Sequence, residues 1–420
     1  MHEETQRKIL RGAFLLLCLI PTLAVGVTAV VWNTRLPANQ LESQLANATG
    51  MLVGVKRVNY PRPRQLRVER IRLVDRETLL PKLAIEDAVA TRDRLGWRIN
   101  LSDTSVDSRH LPTLWTSIHE YIVRQPMPTK HPIKYVTCRN LTVRVADRPY
   151  LLHNVVWSVT SVSPSHESRL AFSLEPNSTE PQIRVTITRD RSIALPTTTV
   201  TLDTKGHALP VPLVTALAGF ETKVDAELVG TLPVTIARHR YRANFLGTVR
   251  GLPLKRLSPN WIPTPAPLDG TIDVTHADVT VEDAALLQAR GRIHGKNVRI
   301  WQPLIYDLTH EQACPIFATG SAFPIQPDSD GTVLLHEILF DLELDSAGLK
   351  VVGVGNVQYP FAAAFDERQR PIMYANTREF PTSRFTNFFR KQELARNRQV
   401  ARRWLQLEQF LPPTLPLWVR

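Results

Sequence analysis

Ile183-Arg184-Val185-Thr186-Ile187 alternates apolar and polar residues without a break, and a period of two marks a strand with one face packed and one face wet. The pattern recurs on both sides of it. Upstream lie Leu141, Val143, Val145, then Val155, Trp157, Val159, then Leu170, Phe172, Leu174. Downstream lie Val224, Ala226, Leu228, then Ile272, Val274, then Val279, Val281, then Ile293, then Val298, Ile300, and finally Ile338, Phe340, Leu342, Leu344. Such runs predict a mainly β chain with antiparallel pairing. The 32 prolines agree, because proline cannot donate to a ladder and collects at turns, strand starts and edges.

Nearer the N-terminus, Leu52-Val53, Val55 and Val58 precede a Pro61-Arg62-Pro63 turn. Leu66, Val68 and then Ile71, Leu73 read as a strand with one break in its alternation, which predicts a bulge. Leu83, Ile85 and Trp97, Ile99, Leu101 continue the strands. Helical spacing is confined to short pieces. Leu41, Leu45 and Ala48 predict a helix over Leu36–Ala48 that closes at Thr49-Gly50. Trp115, Ile118 and Ile122 predict a second over Pro112–Val123. Leu209–Leu213 leading to Leu217, and Leu252–Leu254 leading to Leu257, each predict a turn of helix between strands. Gly-Thr pairs at 230, 247, 270 and 331 read as strand openings.

Gly12 to Trp32 is apolar and uncharged, long enough at 1.5 Å per residue to cross a ~30 Å hydrocarbon core. Its membrane-facing residues are Phe14, Leu15, Leu16, Leu17, Leu19, Ile20, Leu23, Val25, Val27, Val30, Val31 and Trp32. Arg7, Lys8 and Arg11 precede it while Arg35 alone follows closely, so the N-terminus stays cytoplasmic and the bulk is exported. A cleaved signal with a site at Val27-Thr28-Ala29 is the alternative, and the length of the run favours an uncleaved anchor. Cys18 reads as a small buried apolar residue.

The net charge of +12 invites a nucleic-acid partner, but half of the excess lies between Arg378 and Arg403. There Phe385, Phe388, Phe389, Ala395, Val400, Trp404, Leu407, Phe410 and Leu411 gather on roughly one half of a helical wheel with Lys391, Arg398 and Arg402 opposite, and Arg396 and Arg403 intrude on the apolar stripe. Two readings stand: a helix lying on anionic lipid through Arg390, Lys391, Arg398, Arg402 and Trp404 or docking a partner, or a cap over the last strand edge. The remaining charge alternates with apolar residues as on a solvated sheet face, and no nucleic-acid partner is expected.

Motifs for chemistry fail on spacing. His310-Glu311 and His336-Glu337 begin like a zinc-protease helix, but the second histidine positions hold Cys314 and Phe340. Asp328-Ser329-Asp330-Gly331 lacks the later ligands of a calcium loop and reads as a polar turn. Gly353-Val354-Gly355 lacks the third glycine and helix of a dinucleotide site. No catalytic residue, cofactor or metal is expected. Cys138 and Cys314 leave one disulfide open.

The anchor, the helix closing at Leu45–Gly50 and the strand pair Val53–Val58 and Leu66–Leu73 together resemble the AsmA-like proteins of bacterial envelopes. That group includes TamB and YhdP and is related to bridge-like lipid-transfer proteins. Gly247–Leu254, Leu268–Val274 and Arg290–Ile293 are similar to its repeating C-terminal strands. The resemblance implies a transmembrane helix followed by an elongated, curled antiparallel sheet with an apolar groove for acyl chains, a few short helices and a C-terminal amphipathic helix. It implies phospholipid binding or transfer in envelope or outer-membrane biogenesis, from the inner membrane into the periplasm. At ~4.8 Å per strand, ~18 strands in one sheet would extend on the order of 85 Å.

The expected organisation is a cytoplasmic 1–11, an anchor at 12–32, β-rich regions at 33–205 and 206–370, and a basic amphipathic tail at 371–420. The competing architecture is a pair of dry β-sandwiches acting as a tethered scaffold for a protein or cell-wall polymer. A reporter fused after Arg420 is expected to be active only in the exported compartment. Activity on the cytoplasmic side would overturn this topology.

Overall fold

The computed structural model describes Thr22 and residues 35–49, 52–74, 81–93, 96–111, 133–146, 148–162, 165–178, 180–192, 196–217, 222–237, 240–255, 268–283, 285–302, 305, 316–318 and 328–375. The run Gly12–Trp32 apart from Thr22, the predicted helix Pro112–Val123 and the tail from Arg378 lie outside these residues. Among the described residues no helix is long and apolar enough to cross a membrane. The chain falls into two compact units, Met1–Val159 with Leu174–Pro176, and Thr160–Ser173 with Asn177–Arg420.

In the first unit α1 (Leu36–Thr49) forms where the Leu41, Leu45, Ala48 spacing predicts it. The strands are β1 (Leu52–Arg62), β2 (Gln65–Val74), β3 (Pro81–Arg92), β4 (Trp97–Leu101), β5 (Thr104–Asp107), β6 (Ile133–Val145) and β7 (Arg148–Val162). β1 pairs with β2, β2 with β3, β3 with both β4 and β5, and β6 with β7, all antiparallel. β4 and β5 run parallel to β6. The sheet is therefore mixed, which corrects the purely antiparallel expectation. Alternation reports which face a residue takes and carries no strand direction, whereas a parallel pair needs a crossover of a dozen or more residues, which the chain between Asp107 and Ile133 supplies.

Apolar rows cross these strands. Val58, Val68, Ala88, Leu101, Cys138 and Val155 stand level in register, and so do Val55, Ile71, Ile85, Thr104, Leu141 and Leu152. On β1, β2, β3, β6 and β7 the two rows are three residues apart, not two or four, and the same three residues separate Leu101 at the end of β4 from Thr104 at the start of β5. The break predicted between Val68 and Ile71 is thus one point on a seam that traverses the unit. Arg70 and Asn154 absorb it with left-handed backbone, φ 52° and 51°, an excursion costing ~1 kcal/mol at arginine and less at asparagine. The seam is polar and bonded: Ser102 donates its backbone N–H to Asp87 O at 2.8 Å and accepts Asp87 N–H on Oγ at 2.8 Å, and Asn140 Nδ2 donates to Asp103 at 3.0 Å. α1 covers the β1–β3 part of the rows, with Ala38 in one cluster with Val55, Val58, Val68, Ile71, Ile85 and Ala88. It also accepts the Val55 N–H on Glu42 Oε1 at 2.6 Å.

The second unit holds β8 (Ser165–Ser173), β9 (Ile183–Asp190), β10 (Thr197–Asp203), β11 (Leu209–Pro210), α2 (Val211–Leu217), β12 (Glu227–Ala237), β13 (Arg240–Pro253), β14 (Asp269–Glu282) and β15 (Ala285–Trp301). β16 (Ile316–Ala318), β17 (Thr332–Leu344), β18 (Leu349–Gly353), β19 (Ala362–Phe365) and β20 (Pro371–Ala375) complete it. An antiparallel meander runs β8-β9-β10-β12-β13-β14-β15-β17, with β18 and β19 both on β17, and β20 between β19 and β16. The helical turn predicted after Leu209 is α2, which buries Pro212, Leu213 and Ala216. In the second such stretch Leu252 and Pro253 end β13, and helical backbone begins at Leu254.

Two sequence expectations change here. Ile272, Val274 and Val279, Val281 belong to one 14-residue strand, and Ile293, Val298 and Ile300 to one of 17. His276 and Asn297, at φ 53° and 52°, interrupt the alternation that made each look like two strands. Gly230-Thr231 and Gly247-Thr248 lie inside β12 and β13, not at their starts, and the two glycines face each other. A Cβ on Gly230 would stand 2.2 Å from Leu246 O, and one on Gly247 2.1 Å from Val229 O. Gly230→Ala should therefore destabilise by roughly 3 kcal/mol or more, since only separation of β12 from β13 admits the methyl. Gly54→Ala, with nothing within 4 Å of its added Cβ, should cost less than about 0.5 kcal/mol. Thermal melting of the two variants checks the contrast.

Candidate functional site

The register of the second unit aligns its apolar side chains into rows across the strands. Leu170, Val185, Leu202 and Leu232 are paired in succession, and the pairs Thr231↔Leu246 and Val234↔Ala243 set Leu232 level with Phe245. Val279, Ala289 and Leu344 continue that row. A neighbouring row reads Ile187, Val200, Val234, Ala243, Val281 and Leu286. Toward the other strand ends, Leu228, Val249, Val274, Ile293, Phe340 and then Leu252, Ile272, Gly295, Ile338, Ala364 form two more.

Burial changes along this face. The row through Ile272 and Ile338 lies in a closed core with Val298, Val333, Leu335 and Ile372, where Val333 is 0 % exposed. Leu232, Val234, Ala243, Phe245, Val279 and Val281, on β12, β13 and β14, are only partly buried. Beyond them, at the rim, Ile236 and Tyr241 pair and are 41 % and 39 % exposed, next to Thr198, whose hydroxyl accepts from Arg189 Nη1 at 2.8 Å. The patch offers dispersion and shelter from water; its six side chains present no hydrogen-bonding group, which suits an apolar chain.

On β15 and β17 the reverse face is charged. Arg290 meets Glu343 at 2.6 Å, Arg292 grips Asp341 through two bonds at 2.8 and 3.1 Å, His294 Nε2 lies 3.1 Å from Glu337, and Arg299 meets Asp328 at 2.8 Å. The Asp341 hydrogen bond holds the Arg292 pKa above its ordinary value. Exposed pairs of this kind contribute 0–1 kcal/mol each. Their consequence is directional: they assign this face to water and the opposite one to apolar contact.

The anchor residues Phe14, Leu15, Leu16, Leu17, Leu19, Ile20, Leu23, Val25, Val27, Val30, Val31 and Trp32, and the tail residues Arg390, Lys391, Arg398, Arg402 and Trp404, lie outside the described residues, so the structure brings none of them together. Within its reach, Glu337 is bonded to His294, and Asp330 accepts from Thr332 N and Oγ1 at 3.0 and 2.6 Å, a polar turn. A Cβ on Gly353 would strike Phe361 O at 2.1 Å, so that glycine serves a close approach between chain segments. Cys138 is a free, buried thiol whose pKa burial raises. Among the described residues no group of three metal-ligating side chains converges. No known protein family, curated protein or solved structure matches the chain.

The open patch was missed because its residues come from strands read one at a time; rows appear only once register is known. If the face is open at β12–β14, Val279→Thr should cost under about 1 kcal/mol, while Val333→Thr in the closed core should cost about 2–3 kcal/mol. Equal losses of thermal stability would show the face closed throughout.

Proposed function

We propose that this chain is a single-pass, membrane-anchored, non-enzymatic protein of the cell envelope that binds or transfers phospholipid along the apolar face of its second unit. The observation that carries the reading is the partly exposed patch Leu232, Val234, Ala243, Phe245, Val279 and Val281, continuous with a dry core, with ion pairs on the reverse face of the neighbouring β15 and β17. Across β12, β13 and β14 the patch crosses two strand spacings, ~10 Å, which matches a segment of acyl chain of about six to eight methylenes. Each sheltered methylene contributes ~0.8 kcal/mol, so about six of them supply ~5 kcal/mol, enough for sub-millimolar binding. The apolar run Gly12–Trp32 supports the anchoring, and its flanking charges support an exported β-rich region. The AsmA-like resemblance points the same way.

Native mass spectrometry of the full chain, released from mild detergent, is expected to retain phospholipid. Phe245→Glu with Val279→Glu should lower the retained lipid at least about fivefold while leaving the strand signal in circular dichroism unchanged, because carboxylates on the patch repel acyl chains. A lipid-free mass for the unaltered chain would sink the reading and favour dry modules that recognise a protein or polymer.

A further inference from the structure

The hairpin of β1 and β2 concentrates positive charge in a way that its neighbours do not balance. Of its cations, Arg67 meets Asp87 at 3.0 Å and Arg70 meets Glu86 at 3.5 Å, both carboxylates on β3. Lys56, Arg57, Arg62, Arg64 and Arg72 are exposed and make no ion pair among the described residues. The hairpin's one carboxylate, Glu69, accepts from Asn59 at 3.4 Å. Packing causes the segregation. Val55, Val58, Val68 and Ile71 turn into the cluster under α1, which leaves the cations to the other face and the turn. Tyr60 stands 47 % exposed at the tip, where the pairing shifts between Asn59 and Arg62.

Two ordinary explanations fall short. Charges blunt edge strands, and β1 pairs only with β2 among the described strands; but Arg62 and Arg64 belong to the turn region and Arg72 to the inner strand. A merely solvated face carries both signs, as β15 and β17 do, where Arg290 and Arg292 each have a carboxylate across the ladder. On the hairpin Glu69 stands across the ladder from Arg57, and Glu86 and Asp87 of β3 meet Arg70 and Arg67, but Lys56, Arg62, Arg64 and Arg72 have no carboxylate opposite them, so a surplus remains whose field reaches outward toward an anionic partner.

We propose that the β1–β2 hairpin is a contact surface for the anionic headgroups of the membrane in which the chain is anchored. The proposal rests on the anchoring reading and not on lipid uptake by the second unit. Chain length supports it. Three residues separate Trp32 from Leu36, α1 is ~21 Å long, and α1 packs on these same strands, so the hairpin stays within about 30 Å of the end of the apolar run. Headgroup attraction acts over a Debye length of ~8–10 Å, which suits long exposed Arg and Lys side chains on a hairpin tip. An exposed tyrosine beside them favours the interface.

The test uses the full chain in vesicles, with a benzophenone amino acid replacing Tyr60 and all hairpin cations retained. Flotation reports anchoring; photo-crosslinking to labelled lipid reports contact. Crosslinking should be at least about fivefold greater in vesicles containing phosphatidylglycerol than in pure phosphatidylcholine, and should fall when salt is raised to about 0.5 M. Lys56→Gln, Arg57→Gln, Arg62→Gln, Arg64→Gln and Arg72→Gln combined should abolish the difference at unchanged melting temperature. Flotation with equal crosslinking in both vesicles overturns the contact surface and leaves the anchor standing. Failure to float overturns both. Crosslinking to an added oligonucleotide in preference to lipid overturns the headgroup assignment in favour of nucleic acid.

Discussion

A strand shows opposite sides at successive residues, so any odd displacement along it exchanges the packed face for the wet one. Both units depend on this constraint, and each contains breaks that would violate it if a strand acted alone. In the first unit the strands step together: the three-residue spacing between the rows of Val58 and Val55 recurs on β2, β3, β6 and β7 and between the end of β4 and the start of β5, so the apolar face stays continuous across the seam. In the second unit the breaks are local. His276 sets Val274 and Ala277 three residues apart on β14 while Ile293 and Gly291 remain two apart on β15. Gly251, at φ 65°, does the same on β13, and its N–H donates to Asp273 at 2.7 Å. Bulges of this kind add twist while preserving the face.

The same breaks explain what was legible beforehand. Most of the strands could be read as alternating runs, because half-burial imposes period two regardless of the partner. Strand length could not, since a left-handed residue such as Asn297 turns one long strand into two short patterns. Direction was invisible as well, which is why the parallel pairs of β4 and β5 with β6 came as a departure. The apolar patch at Leu232, Phe245 and Val279 needs the register of three strands, and that register is set by turns and bulges more than by the apolar residues themselves. The basic hairpin was present in the sequence in full, at Lys56 to Arg72. Its surplus is not legible there, because alternating charge reads as a wet face until the positions of the carboxylates are known.

The two units treat their apolar faces differently. In the first, α1 lies over the β1–β3 end of the rows and ties itself to β1 through Glu42, so the apolar surface there is spent on folding. In the second, Ile305, β19 and β20 contribute to the core over one end of the face, while the side chains on β12, β13 and β14 stay partly exposed. That difference is energetic as well as geometric. A fully buried valine or leucine contributes ~1.5–3 kcal/mol, and partial exposure forgoes much of it. The four valine and leucine side chains of the patch, with Phe245 beside them, therefore leave stability uncollected in the free protein, which the proposed apolar ligand would recover on binding.

Charge placement follows the same division. On β15 and β17 the cations are matched across the ladder, which makes that face wet and electrically quiet. On β1 and β2 the match is incomplete: Glu69 stands opposite Arg57, and Glu86 and Asp87 of β3 meet Arg70 and Arg67, which leaves Lys56, Arg62, Arg64 and Arg72 without a carboxylate opposite them. A surface built only to stay dissolved would not need that surplus, because a mixture of signs keeps a sheet solvated with less self-repulsion. A surplus beside an exposed tyrosine is instead what the proposed contact with an anionic surface would use.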